Sequence, residues 1–252
     1  MGLLAKILRR QRSIKIWNYF GYAIGEILLV VIGIMLAVQV NEWRESARNE
    51  TILKEHYYNI KLNLETDIIA LDTVLKSAEA SFTSSQSLIR QIQTLEKVSD
   101  QTGMQIVVCL NRYKFFLTKA GIEGLNNSGL IGLVDSDLKR DLLKYYWQCD
   151  KIVSYEAALG TFIREKYEPH FYDNYPEAYH VKNPYSLLIP FFKNDPRKLM
   201  YINEIEFLKD RKLEALILDI NWLSLRLKQE YSKAIPLAEK IISRVNVLVI
   251  DR

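Results

Sequence analysis

The segment from Tyr19 to Val40, Tyr-Phe-Gly-Tyr-Ala-Ile-Gly-Glu-Ile-Leu-Leu-Val-Val-Ile-Gly-Ile-Met-Leu-Ala-Val-Gln-Val, constrains this chain more than any other feature. As a helix it would rise about 33 Å, enough for a hydrocarbon layer of about 30 Å. Lipid offers no partner for backbone polar groups, so a helix is the form such a segment takes there. Trp17, Tyr19 and Tyr22 stand at one end and Trp43 at the other, where an aromatic belt belongs. A buried core helix is the bland alternative. A cleaved leader is disfavoured, because the apolar run is too long and no small-x-small pattern follows it.

The flanks orient the segment. Lys6, Arg9, Arg10, Arg12 and Lys15 precede it without an acid, whereas Glu42, Arg44, Glu45, Arg48 and Glu50 follow it. The positive-inside rule then places residues 1–18 in the cytoplasm and the large remainder in the periplasm, so a bacterial inner membrane is expected. Leu3, Leu4, Ile7 and Leu8 among the five cations would let this arm lie on the inner leaflet. A nucleic-acid binder needs a basic stripe over a folded surface. Here the excess of 34 Lys+Arg over 30 Asp+Glu sits on the short arm, and no nucleic-acid partner is expected.

From Ile34 to Thr102 there is neither Gly nor Pro. Apolar residues recur at spacings of three and four through Leu53, Tyr57, Ile60, Leu64, Ile68, Leu71, Leu75, Ala78 and Phe82. After the polar Thr83–Ser87 stretch they resume at Leu88, Ile92 and Leu95. This is the seam of a long helix packed on partners. The membrane helix is expected to continue into a stalk on the order of 100 Å long, the alternative being a hairpin broken near Ser81–Ser87.

Gly103 is read as the end of this region, 104–127 as helical with Leu110, Phe116 and Leu117 inward, and Ser128-Gly129 as a stop. Asp135 or Ser136 can cap the next helix, which carries Leu138, Leu142, Tyr145, Tyr146, Cys149 and Ile152 towards Tyr167. Five of six prolines fall in 168–200, which reads as irregular. Residues 201–231 and 233–246 return to helical spacing, with Pro236 in a first turn. The expected fold is all-α. A basic arm (1–18), a transmembrane helix (19–41), a stalk (42–102), a helix pair (103–167), a Pro/aromatic loop region (168–200) and C-terminal helices (201–252) follow in order, the outer part forming a helical bundle.

Glu26 is the most informative single residue, since a carboxylate in a membrane span faces protein or a wet cavity, or snorkels to the interface. Gly21 with Gly25, and Gly33 with Ala37, form small-xxx-small pairs that let helices approach closely. Together with Glu26 and Gln39 they point to self-association. Tyr172, Tyr175, Tyr179, Phe191 and Phe192 could pack their loop onto the helices or form a docking surface for other envelope proteins. Glu165, Glu168, His170, Asp173, Glu177 and His180 match no metal-ligand spacing and read as solvated loop polarity. His56 is isolated. Cys109 and Cys149 could pair in an oxidising compartment, closing a loop of about 40 residues worth roughly 4 kcal/mol, or sit as buried thiols.

No phosphate loop, nucleophile elbow or His-Glu-x-x-His pair is present, so neither an enzyme nor a cofactor or metal is expected. The expected role is a non-enzymatic, membrane-anchored scaffold or accessory subunit. The alternatives are an oligomeric ion or proton pore using Glu26, and a periplasmic sensor acting through a partner. Tyr22-Ala23-Ile24-Gly25-Glu26-Ile27-Leu28-Leu29-Val30-Val31-Ile32-Gly33-Ile34, followed by Ala37-Val38-Gln39-Val40-Asn41-Glu42-Trp43, resembles the membrane-helix signature of an uncharacterised single-pass family abundant in Bacteroidota. Leu125, Ser128-Gly129-Leu130, Leu133-Val134, Leu138-Lys139-Arg140, Leu142 and Tyr145-Tyr146 are similar to a second stretch of that family. The family usually has Asn-Asn-Trp where Asn41-Glu42-Trp43 stands here. The resemblance implies a cytoplasmic arm, one membrane helix and an outer helical domain, and implies no reaction.

Overall fold

The computed structural model describes residues 3–176, 178 and 202–250, with the backbone alone for 3–21, Asp100 and Ile250. Among these residues every regular element is helical. They are α1 (Leu3–Thr94), α2 (Asp100–Val108), α3 (Ala120–Asn127), a 3-10 turn (Leu130–Leu133), α4 (Ser136–Phe162), a π turn (Ile163–Tyr167), α5 (Glu168–Asn174), α6 (Glu204–Lys209) and α7 (Arg211–Ile250). The chain divides into two compact units at Glu55 and His56.

In the first unit α1 is bare from Tyr22 to Arg48. Every described side chain from Tyr22 to Arg48 is exposed. Mean hydropathy reaches 2.4, so the helix is long and apolar enough to cross a membrane.

The second unit is a bundle built on three long helices. Along α1 the buried seam is Tyr57, Ile60, Leu64, Asp67, Leu71, Val74, Ala78, Ser81, Ser85, Leu88 and Ile92, alternating three and four without a slip, with Gln91 buried beside it. Ile68, Leu75 and Phe82 are half-buried flanks of that seam. Its polar members are matched by donors and acceptors: Ser81 donates to the Val108 carbonyl, and Asn221 of α7 donates to Ser85 and to the Phe82 carbonyl. The helix therefore runs through Ser81–Ser87 unbroken. In α7 the buried row Leu213, Ile217, Ile220, Ser224, Leu227, Tyr231, Ala234, Ala238, Ile241 and Val245 keeps the same period. Contacts pair Asp141 with Lys240, Gln148 with Glu230, Glu79 with Lys228 and Ser85 with Asn221. As α1 and α4 rise in number α7 falls, so α7 lies antiparallel to both.

Several boundaries differ from the sequence reading. Gly103 lies inside α2, and residues 111–119 are not helical. Phe116 is 73% exposed, Phe115 is buried at 2%, Leu110 and Leu117 are half-buried, and Leu95 is exposed. α7 continues through Ser232 with Pro236 in its interior. Pro236 and Ser232 are both exposed, so the carbonyl that loses its partner can turn to water. Near Pro169 the chain stays helical by widening: the Glu168 N–H bonds the Ile163 carbonyl, five residues back. Asp135, as expected, caps α4 by accepting from the N–H groups of Asp137 and Leu138.

Leu95 ends α1 at φ 56°, in the left-handed region. The Glu96 N–H returns to the Gln91 carbonyl at 3.1 Å, which is Schellman closure. Gln91 reinforces the turn, its amide donating to the Lys97 carbonyl and its oxygen accepting from Thr102. A leucine pays a steric cost there that glycine avoids, and its side chain is 68% exposed. Leu95→Gly is therefore expected to stabilise the protein by about 1 kcal/mol, read as a higher denaturation midpoint. A lower midpoint would refute the assignment.

Candidate functional site

In the first unit the expected assembly residues lie on a helix with no neighbour. Glu26, Ala37 and Gln39 are exposed, and a Cβ built on Gly25 or Gly33 meets nothing within 4 Å. At 3.6 residues per turn, Glu26, Gly33 and Ala37 share one face. Gly21, Gly25 and Gln39 lie roughly a third of a turn away, Gln39 in line with Gly21, so the two small-residue pairs do not form one stripe. Ala23, Glu26, Ile27, Val30 and Val31 shape a shallow groove around the acid. The side chains of Gly21, Lys6, Arg9, Arg10, Arg12 and Lys15 lie outside the described residues.

In the second unit the polar chemistry gathers around Asn111–Lys119, an extended strap between α2 and α3. The Phe115 N–H donates to Glu156 Oε1 at 2.8 Å and the Thr118 N–H to Asp67 Oδ1 at 3.1 Å. Arg112 pairs with Glu168 at 3.0 Å, and the Tyr113 hydroxyl donates to Ser224 at 3.2 Å. Tyr145 donates to the second oxygen of Asp67 at 2.8 Å, and Tyr231 to Glu156 Oε1 at 2.7 Å. Two buried carboxyl groups thus take the place of a neighbouring strand for a backbone that has none. Burial pushes both carboxyls up; hydrogen bonds from Tyr145 and Thr118 at Asp67, and from Tyr231 and Phe115 at Glu156, offset it in part.

Other buried acids are paired with cations. Asp141 meets Lys240 at 2.9 Å and Arg244 at 2.9 Å. Glu230 meets Lys151 and Lys233, each at 3.0 Å, and accepts from Gln148 at 2.7 Å. At Glu230 burial is outweighed by Gln148 and the two lysines, and the carboxyl falls to about 2. Its stabilisation is present above the ordinary 4.5 and is lost as pH drops through that folded value.

The cluster read as solvated loop polarity is in part buried. His170 Nε2 lies 2.6 Å from Asp210 Oδ2, and its Nδ1 lies 3.2 Å from the Asn174 amide. A neutral ring with its proton on Nε2 satisfies both contacts. Asp210 also accepts from Tyr175 at 2.6 Å and from the Leu213 N–H at 2.8 Å, capping α7. Burial opposes ionisation of Asp210, but these donors prevail and hold its carboxyl below the usual range. Tyr175 is a core residue rather than part of a docking face, while Tyr172 is about half exposed. Tyr179, Phe191, Phe192, Glu177 and His180 lie outside the described residues. Among those described, no group of three His, Cys, Asp or Glu side chains could hold a metal ion.

Cys109 and Cys149 are both buried free thiols, so the disulfide is not formed. Cys109 sits beside Tyr167 and Cys149 beside Tyr145. Burial pushes each thiol up to about 12, which leaves both unreactive. Sequence reasoning missed Asp67, Glu156 and Tyr231. Their one available signal was a polar side chain in phase with an apolar seam.

No curated protein and no solved structure matches the chain significantly. The sequence profile of a family of unknown function, DUF6090, matches residues 26–159, from the acid of the apolar helix to the last turn of α4. That match spans just over half of the chain, and the protein belongs to this family.

Proposed function

We propose that this protein is a non-enzymatic envelope component anchored in a bacterial inner membrane by α1, with its N-terminus cytoplasmic and its helical bundle periplasmic. It acts as a homo-oligomeric scaffold or as an accessory subunit docking another envelope protein. The observation that carries this reading is the bare apolar stretch of α1, with Glu26, Gly33 and Ala37 on one face. A carboxylate on such a helix is costly in lipid unless protein or water covers it, and the small residues beside it permit close approach.

The test is the mass of the full-length complex purified in mild detergent from its native membrane. A pure multiple of 29.4 kDa supports the scaffold, and a stoichiometric second protein supports the accessory subunit. A lone monomer defeats both. If the chain self-associates through this face, Gly33→Ile is expected to weaken the complex by about 1–2 kcal/mol, seen as dissociation on dilution into detergent. A proton or cation flux in liposomes that vanishes in Glu26→Gln would instead establish a pore.

A further inference from the structure

Glu156 differs from the other buried acids of the bundle: Asp67 also lacks a cation among the described residues, but each of its oxygens has a donor. Asp141 and Glu230 each meet two cations, whereas Glu156, 7% exposed, meets none among the described residues. Both its donors, the Phe115 N–H and the Tyr231 hydroxyl, converge on Oε1. Oε2 is buried without a hydrogen-bond partner. A carboxylate divides its charge between two equivalent oxygens, and an orphaned charged oxygen is costly. A neutral acid has one good acceptor, its carbonyl, and a hydroxyl that costs far less to bury.

We propose that Glu156 is held as the neutral acid at neutral pH, with Oε1 the carbonyl and Oε2 the hydroxyl, and that the junction of strap, α4 and α7 is a proton-operated latch. Ionisation encloses a charge without a counterion and loosens the strap. The titratable and charged groups acting on Glu156 are Tyr231 from α7 and Tyr113 and Lys114 from the strap. Lys114 exerts the weakest of these attractions, and its Nζ lies over the Phe116 ring at 5.3 Å. From α1 the Ser81 hydroxyl, which is neutral, bonds Tyr113. Burial drives the carboxyl up, and Tyr231, Phe115 and Lys114 recover only part. From the ordinary 4.5 up to the folded value the closed strap binds more protons than the open one, so it loses stability as pH rises.

Infrared spectroscopy of the full-length protein in lipid nanodiscs tests the proposal, with Glu26→Gln as the background throughout so that the glutamate of the membrane span gives no band. A protonated carboxyl band is expected at neutral pH; labelling with 13C-glutamate should move it, which separates Glu156 from Asp67, and Glu156→Gln should delete it. Glutamine keeps Oε1 for both donors. In hydrogen exchange, protection of 111–119 in the wild type should fall by up to about tenfold per pH unit within that window. In Glu156→Gln it should stay constant once intrinsic exchange is removed. A glutamate band that titrates away at the ordinary carboxyl value, or one that survives Glu156→Gln, overturns the proposal. Should that variant not fold, the labelled spectrum with Glu156 intact decides alone.

Discussion

Gly121→Ala is expected to destabilise the bundle by about 2–4 kcal/mol. A Cβ at position 121 would stand 2.8 Å from the Ile60 nitrogen and 2.9 Å from both the Ile60 Cα and Asn63 Nδ2. Two of those atoms are helix backbone, which cannot rotate aside. Asn63 Nδ2 is itself buried without a hydrogen-bond partner, so α3 lies against α1 with nothing between them. Inside a helix the same change ordinarily gains up to about 1 kcal/mol, and a loss would show that the collision outweighs propensity. Gly160→Ala supplies the contrast: it lies within α4 with open space around its Cβ position and should stabilise by about 0.5–1 kcal/mol. Denaturant midpoints of the two variants should move in opposite directions. A tolerated Gly121→Ala would mean that α3 does not approach α1 this closely.

The long helices were legible because their signal is local. Tyr57, Ile60, Leu64, Leu71, Ala78, Leu88 and Ile92 are apolar, in phase and buried. The apolar run around Glu26 needs no partner to be recognised. Ile68, Leu75 and Phe82 misled because each lies one residue from a seam position, Asp67, Val74 and Ser81, about 100° around the helix. Asp67 and Ser81 can be buried because donors and acceptors far along the chain meet them, Tyr145 and Thr118 for the one and the Val108 carbonyl for the other. Nothing near them in sequence announces those partners. The strap is the same case from the other side. Tyr113 to Thr118 contains no breaker, and it leaves the helix because Asp67 and Glu156 take its N–H groups. His170 looked solvated for want of Asp210, forty residues away.

Asp67→Ala is expected to cost about 2–4 kcal/mol, through stranded donors more than through lost packing. Asp67 is fully buried, and its two oxygens serve two donors, the Thr118 N–H and the Tyr145 hydroxyl. Each donor left unpaired in the interior costs about 1–3 kcal/mol, and relief from burying the acid returns part of the sum. Tyr145→Phe alone should cost about 1–2 kcal/mol, because it removes one donor from a buried acceptor. In the Asp67→Ala background the same change should be almost free, since the stranded hydroxyl goes with it. The cycle should therefore show a coupling of at least about 1 kcal/mol, and additive losses would mean that the two side chains do not act as a pair. The pH dependence has a fixed sign. Burial raises the Asp67 carboxyl, with Tyr145 and Thr118 restraining the shift, so the folded wild type gains stability as pH falls towards the ordinary 3.8. Alanine lacks that gain, and the deficit of Asp67→Ala should be larger at the acid end of this window than above it.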